Sequence, residues 1–425
     1  MVRRRPVFYN PACPVAGLPC LARRLVRRTA PRSMENAKKN VALLAGCQAM
    51  LLTNNVTLIS LAALAGFSLA ENKMLSTLPA TGYVVGAALA TLPASFFMRR
   101  FGRQTGFRVG TSVGIAGAAL CCLALWQQSF WLLCAGVLVL GVYNAFGQYY
   151  RFAAADVASH EFKAKAISLV LTGGLVGGII GPELSKHTRG LFPVPFLGAY
   201  ASLIVFCLIT LVLLAYIRIP APSVAERHEP VRPMRTIVAQ PAFLVAVTGS
   251  ALGYGVMNLL MTATPLAMGL CGLPYSSAAL VIQWHVIGMY APSFFTGSLI
   301  RRFGVLSVMF AGMALETLCV SIALSGSLLA NFWWALLLLG VGWNFLYVGG
   351  TTLLTECYRV SEKAKAQGMH DFLVFLTTAT SSFSSGLLMN RNGWQMLNYA
   401  ALPVLAVIGA AIAWLALQRR AAVAV

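Results

Sequence analysis

About twelve apolar runs of roughly 20 to 27 residues follow one another along this chain, from near 41–66 to near 396–417, each long enough to cross a hydrocarbon layer about 30 Å thick as a helix. With 58% hydrophobic and 10% charged residues over 425 positions and a mean hydropathy of +0.76, there is too little polar side chain to cover a soluble globule of this size. In lipid a backbone must satisfy its own hydrogen bonds, so the expected fold is an all-α membrane protein of twelve transmembrane helices. Residues 1–33 form no continuous apolar core of the kind a secretory signal needs, because prolines interrupt every short apolar stretch. Met34 opens M-E-N-A-K-K-N directly before the first run, which predicts that translation starts there. Read otherwise, residues 1–40 are a basic tail lying on anionic lipid.

The net charge of +21 comes from short clusters between apolar runs, a pattern suited to membrane loops rather than to a nucleic-acid surface. Apart from Lys73, Lys186, Arg189 and Arg391, the Lys and Arg residues fall on one alternating side. The positive-inside rule makes that side, with both termini, cytoplasmic in a cell inner membrane. Residues 218–241, rich in proline and mixed charge, read as a cytoplasmic linker between six-helix bundles at 41–217 and 242–417, with a short tail at 418–425. The ten cysteines form no C-x-x-C pair and read as small hydrophobes. No metal site, cofactor or catalytic set is expected, and the partners expected are a small-molecule substrate, the lipid bilayer and a coupling proton, with the chain acting as a monomer.

The two bundles carry marks of duplication. S-F-F-M-R-R-F-G-R at Ser95–Arg103 returns as G-S-L-I-R-R-F-G-V at Gly297–Val305, K-A-K-A at Lys163–Ala166 returns at Lys363–Ala366, and Asn144 returns as Asn344, each about 200 residues on. These loops resemble those of the major facilitator superfamily, whose G-x-x-x-D-R-x-G-R-R motif lies between helices 2 and 3 with a weaker echo between helices 8 and 9. Arg100, Gly102 and Arg103 match in the first half, and Gly297, Arg302 and Gly304 in the second. Arg99 and Arg301 stand where the family has an acid, and Ser95 replaces the first glycine, so the family's usual charge latch is not expected in its ordinary form. Asp156 and Glu356, at equivalent places below the fourth and tenth runs, are expected to pair with the loop arginines as gates. The resemblance implies two pseudo-symmetric six-helix bundles that alternate access to a site near the bilayer midplane.

Polar side chains inside the runs mark that site, because each costs free energy in lipid. The first run supplies Asn54 and Thr57 on one face, with Asn55 beside them, and the seventh supplies Asn258 and Thr262 at i, i+4 before Pro265. The fourth carries Asn144, Gln148 and Arg151 at i, i+4, i+7, and the tenth Asn344, Tyr347 and Thr351. Tyr143 and Trp343 beside the matched asparagines add ring faces for a planar substrate. The eighth holds Gln283, Trp284 and His285, and histidine is a candidate for moving a proton. Asp371 in the eleventh run, sharing a face with Phe375 and Thr378, is the second proton candidate. Glu316 is set aside as peripheral and Glu183 lies near an outer end. Against each stands the plainer role of tying helices together: Asp371, for instance, would then pair with Lys365 or Arg151. Gly177, Gly181 and Pro182 resemble part of the family's antiporter motif, but close packing through small residues accounts for them.

Arg151 falls at a run's end in this reading, so no cation stands firmly inside a run, and a strongly anionic substrate is disfavoured. Amides, hydroxyls, rings and one histidine suit a neutral or weakly charged ring compound. W-N-F-L-Y at Trp343–Tyr347 and the paired R-R-F-G loops are similar to a bacterial branch that includes proposed riboflavin uptake proteins, which implies uptake of a flavin. A proton-coupled efflux pump is the alternative within transport. A non-transporting membrane sensor is the alternative outside it, although no output domain is evident.

Overall fold

The computed structural model describes residues 20–72, 75, 78–159, 161–219 and 232–423. Most of the N-terminal tail, Lys73, the middle of the linker and the last two residues therefore lie outside the described residues. Among the described residues, twelve elements long and apolar enough to cross a membrane follow in order, the bent pair of α8 taken as one: α1 (Asn36–Leu69), α2 (Leu78–Phe101), α3 (Arg103–Trp126), α4 (Phe130–Val157), α5 (Lys163–Thr188), α6 (Leu197–Tyr216), α7 (Pro241–Leu270), α8 (Ser276–Tyr290 with Ser293–Phe303), α9 (Val305–Ser325), α10 (Leu329–Leu354), α11 (Val360–Met389) and α12 (Arg391–Ala421). The first of them continues a helix that begins at Cys20.

Several helices are broken, and sequence explains most of the breaks. The two parts of α8 meet at 42° where Ala291 and Pro292 intervene, since proline removes a donor and clashes with the preceding turn. A π-helical turn, Thr248–Leu252, interrupts α7 just before Tyr254, and such turns redirect the side chains that follow. Gly393, at φ 76° near the start of α12, breaks the helical path that runs from α11 into α12.

The duplication is visible in the packing. In the first half α2 and α4 cross so closely that a Cβ on Gly86 would meet the Leu138 carbonyl oxygen at 2.2 Å, and one on Gly141 the Tyr83 carbonyl oxygen at 2.2 Å. In the second half the α8–α10 crossing repeats this with Gly288 against Leu337 O at 2.6 Å and Gly340 against His285 O at 2.5 Å. Without a hydrophobic drive between helices in lipid, such small-residue crossings let dispersion and weak polar contacts hold the bundle.

The R-R-F-G turns are also copies. Gly102 has φ 88°, ψ 158° and Gly304 φ 85°, ψ 154°, a region that costs a side-chain-bearing residue about 1–3 kcal/mol. Gly304→Ala, at a site with open space around it, is therefore expected to lower the melting temperature by several degrees, measured by thermal unfolding in detergent. An unchanged midpoint would mean that the turn relaxes to another conformation.

The hydrogen bonds and ion pairs joining described residues of the two halves gather at the end bearing these turns, the basic end. Ser95 Oγ donates to Ala364 O at 2.8 Å, Arg103 Nη2 to Gln367 Oε1 at 2.5 Å, and Ser168 Oγ to Ser293 O. Asp156 accepts from Arg103 at 3.1 Å in its own half and from Lys363 at 2.8 Å in the other. Helices α5 and α8 also touch further in, where Gly174 faces Tyr290 and Gly178 faces Val286. The linker is pinned here too. Arg232 donates to the buried Glu362 at 2.6 Å through both Nε and Nη2, which pushes its guanidinium pKa above the ordinary range.

Candidate functional site

Along α4, Asn144, Gln148 and Arg151 fall on one face by helical period, and the break at Gln148–Tyr149 leaves that face toward the second half. A continuous polar chain runs through it. Tyr83 Oη donates to Asn55 Oδ1 at 2.5 Å, Asn55 Nδ2 to Asn144 Oδ1 at 2.9 Å, and Gln148 Nε2 to the same oxygen at 3.1 Å. Arg151 Nη1 donates to Gln148 Oε1 at 3.2 Å and to the Gln148 carbonyl at 2.7 Å. Its Nη2 reaches across the halves to Asp371 Oδ1 at 2.5 Å. His370 Nδ1 stands 2.8 Å from that oxygen, and a carboxylate can only accept, so the imidazole donates.

Arg151 and Asp371 have side chains only 1% and 3% exposed. Burying such ions costs several kcal/mol each, offset only when the pair is close and further hydrogen-bonded, as here. Aromatic faces add to the cation's stabilisation: the guanidinium lies 4.5 Å from the Phe152 ring centroid and 4.8 Å from that of Tyr347.

Tyr347 belongs to an aromatic cluster of the second half. It stacks on Trp343 with centroids 4.9 Å apart and planes 15° apart, while Tyr254 and Tyr290 stand edge-on to Trp343 at 5.3 and 5.7 Å. Tyr254 comes from the turn of α7 after the π-helical segment, and Tyr290 ends the first part of α8. Trp343 and Tyr347 are buried, whereas Tyr254 and Tyr290 are half-exposed. Among the described residues Trp343 Nε1, Arg151 Nε, Asp371 Oδ2 and His370 Nε2 are buried without a hydrogen-bond partner. Unpaired buried atoms also occur elsewhere in both halves, at Tyr200, His285 and Glu316 among others, but here four of them belong to the ion pair and the residues beside it.

The sequence model of the Major Facilitator Superfamily matches residues 41–291 and 284–424. The chain belongs to that superfamily. This facilitator is 40% identical over 377 residues to the riboflavin transporter RfnT of Brucella anthropi, a match covering 88% of this chain and 94% of the relative. It is 28% identical over 376 residues to the uncharacterised MFS-type transporter YddS of Bacillus subtilis, covering 84% and 86%. Among solved structures it superposes on the facilitator FucP in the outward conformation with a TM-score of 0.72 at 14% identity, and on an outward-facing bacterial homologue of the iron transporter ferroportin with 0.69 at 12% identity. Each match covers 88% of this chain and 98% of the other, and at these identities the likeness is one of fold. It is a multi-pass membrane transporter, and transport rather than catalysis is what its family describes.

The facilitator's fold gathers part of the expected site and disperses the rest. Asn55, Asn144, Gln148, Trp343, Tyr347 and Asp371 converge as described. Asn54 instead turns to α6, donating to Leu203 O and Cys207 Sγ, both at 3.3 Å, because it lies about 100° around α1 from Asn55. Tyr143 packs inside the first half against Gly114 and Cys207. Asn344 is consumed at the α8 break, donating to Met289 O at 2.6 Å and Ser293 Oγ at 2.5 Å and accepting from Thr296 at 2.7 Å. There it replaces the backbone partners that Pro292 disrupts. His285 is fully buried with Nδ1 2.7 Å from Leu336 O, a tie between α8 and α10 rather than a group in the gathered site. Asn258 ties α7 to α11 through Thr378 O at 3.2 Å and Ser381 Oγ at 3.0 Å. Thr262 and Gln283 are exposed, and Trp284 packs edge-on against Trp333.

Two further expectations are corrected. Glu356 pairs not with Arg301 or Arg302, both exposed, but with Arg419 at 2.7 Å, since the C-terminal end of α12 lies beside it and the loop arginines point away. Arg151 is not an end residue but a buried cation six positions inside α4. In the first loop only Arg103 engages Asp156. Arg99 is half-buried, and Arg100 is exposed with its guanidinium 5.4 Å from the centroid of Phe101.

Four site residues escaped the sequence reading. Tyr83 of α2 reaches the site only through its hydroxyl on Asn55. Tyr254 completes an i, i+4 series with Asn258 and Thr262, a signal that was available. His370 adjoins Asp371. Tyr290 gives no periodic signal, since it is placed by the α8 bend.

Proposed function

We propose that this facilitator takes up riboflavin or a close flavin across the inner membrane as a monomer, by alternating access coupled to a proton. The carrying observation is that Arg151, at the end of the amide chain of α1 and α4, lies over the Tyr347 ring of the aromatic cluster of α7, α8 and α10 and pairs with Asp371 of α11, which brings an amide surface and an aromatic surface together at one junction of the halves. Rings stack on the second surface and heteroatoms bond to the first, which suits a planar, neutral heterocycle. The 40%-identical relative named a riboflavin transporter supports a flavin over other ring systems.

The positive-inside rule makes the basic end cytoplasmic, so the state described is closed toward the cytoplasm by Ser95, Arg103, Asp156 and their partners. Inward opening then requires Arg151 and Asp371 to separate, and protonation of Asp371 removes the charge that holds them. In this reading substrate and proton bias the same two-state element. Purified protein in liposomes is expected to accumulate labelled riboflavin, several-fold faster with the lumen alkaline. No accumulation in either condition would remove the flavin assignment, and accumulation indifferent to the gradient would remove the proton.

A further inference from the structure

The polar chain from Tyr83 to Arg151 determines not only where the amides lie but which way each one points. Arginine carries donors and no acceptor, so Gln148 must meet Arg151 with Oε1. Its Nε2 is then turned to Asn144, which must answer with Oδ1. The same Oδ1 receives Asn55, so Asn55 presents Nδ2 there and leaves its own oxygen to the Tyr83 hydroxyl. One cation thus orients three side chains whose oxygen and nitrogen ends are otherwise interchangeable.

The consequence is chemical. Each amide oxygen already accepts within the protein, Asn144 Oδ1 twice and Asn55 Oδ1 and Gln148 Oε1 once, whereas four hydrogens are left over: one on Asn55 Nδ2, one on Gln148 Nε2 and both on Asn144 Nδ2, which donates to no acceptor among the described residues, so donors dominate the remaining capacity. Asn55 and Gln148 are half-exposed. Arg151 stands level with Tyr347 of the second half, and Gln148 and Trp343 lie about one helical turn further from the basic end on their respective helices. The free N–H groups therefore share their depth with the aromatic cluster.

We propose that the substrate docks through a ring edge that carries only hydrogen-bond acceptors, carbonyl oxygens and imine-type nitrogens, onto the N–H groups of Asn55, Asn144 and Gln148, with its ring face against the part-exposed Tyr254 and Tyr290, which Trp343 backs from behind. The proposal rests on the flavin reading and sharpens it. An oxidised isoalloxazine offers such an edge where each pyrimidine carbonyl adjoins an imine nitrogen, at N1 and at N5. The imide N–H between the carbonyls is a donor, and this surface offers it no more than the second lone pairs of oxygens already engaged by Tyr83 and Arg151. Dihydroflavin, with hydrogen on N1 and N5, presents donors to donors and is excluded.

Two sets of dissociation constants, read by quenching of flavin fluorescence on the purified full chain in detergent, test this. With the wild-type protein, N3-methylriboflavin is expected to bind within about threefold of riboflavin, and 1-deaza- or 5-deazariboflavin at least about tenfold more weakly, the scale of one lost hydrogen bond. Asn144→Asp is the protein-side variant. Its carboxylate still accepts from Asn55 and Gln148, so the internal chain persists, while the outward donor becomes an acceptor; affinity for riboflavin is expected to fall by more than tenfold. Deaza analogues binding as tightly as riboflavin, or an Asn144→Asp protein with unchanged affinity, would overturn the acceptor-edge proposal and leave the flavin reading standing. A wild-type protein that binds no flavin at all would overturn both.

Discussion

Asp371→Ala is expected to abolish uptake and to destabilise the folded transporter by about 3–5 kcal/mol, the usual cost of leaving one member of a buried ion pair without its partner. The cause is local. Arg151 has nowhere to go: its side chain is 1% exposed, its remaining partners are the oxygens of Gln148, and rings of Phe152 and Tyr347 cover its faces. His370 loses the oxygen it now donates to. Asp371→Asn keeps the shape and a carbonyl acceptor, so most of the stability is expected to survive while the proton response of uptake is lost. A double change, Arg151→Met with Asp371→Leu, removes both charges together and is expected to recover much of the stability lost in Asp371→Ala without recovering transport. Thermal unfolding in detergent and uptake into liposomes, run on the same preparations, separate the two effects. If Asp371→Ala melted and transported like the parent, the ion pair would be neither a structural nor a functional link between the halves.

The residues of this pair show how far the sequence could be read. Asn144, Gln148 and Arg151 stood out because a helix repeats every 3.6 residues and polar groups are rare in an apolar run. The same rarity drew notice to Asn54, His285 and Asn344, yet each of these is spent on a neighbouring helix. Composition along one helix states that a polar group is buried. It does not state whether the group meets a lumen or a carbonyl two helices away, because that depends on how the helix is rotated, and small-residue crossings such as Gly86 with Gly141 set the rotation. The bend of α8 carries the same lesson. Pro292 announces a break, but Asn344 was needed to satisfy it, so an asparagine that looked like a binding residue serves the kink. The architecture itself was legible, since apolar length and the doubled R-R-F-G turns follow from constraints local to each segment.

Joining Ser95 and Gly368 by a disulfide is expected to stop transport almost completely while sparing substrate binding. A Cβ built on Gly368 lies 3.2 Å from Ser95 Cβ, slightly inside the ordinary 3.5–4.5 Å span of a disulfide, so a small shift of α2 against α11 accommodates the bond. Both positions are at the basic end, where Ser95 already bonds Ala364, and neither belongs to the amide chain or the aromatic cluster. If the halves must part here for substrate to leave toward the cytoplasm, a covalent bond fixes the transporter in the state described. Riboflavin affinity should then remain within a fewfold of the parent, uptake should fall below a tenth, and a reductant should restore it. Cys47, Cys121, Cys207, Cys319 and Cys357 are buried thiols and Cys271 is exposed, and the parent protein treated with the same oxidant measures any contribution from the native cysteines. An oxidised Ser95→Cys, Gly368→Cys protein, shown by mass to be fully cross-linked yet still transporting at the parent's rate, would mean that the contact between α2 and α11 never opens during the cycle. The alternation would then have to proceed through another seam, and the contacts of α5 with α8 at Ser168 and Ser293 would be the place to repeat the measurement.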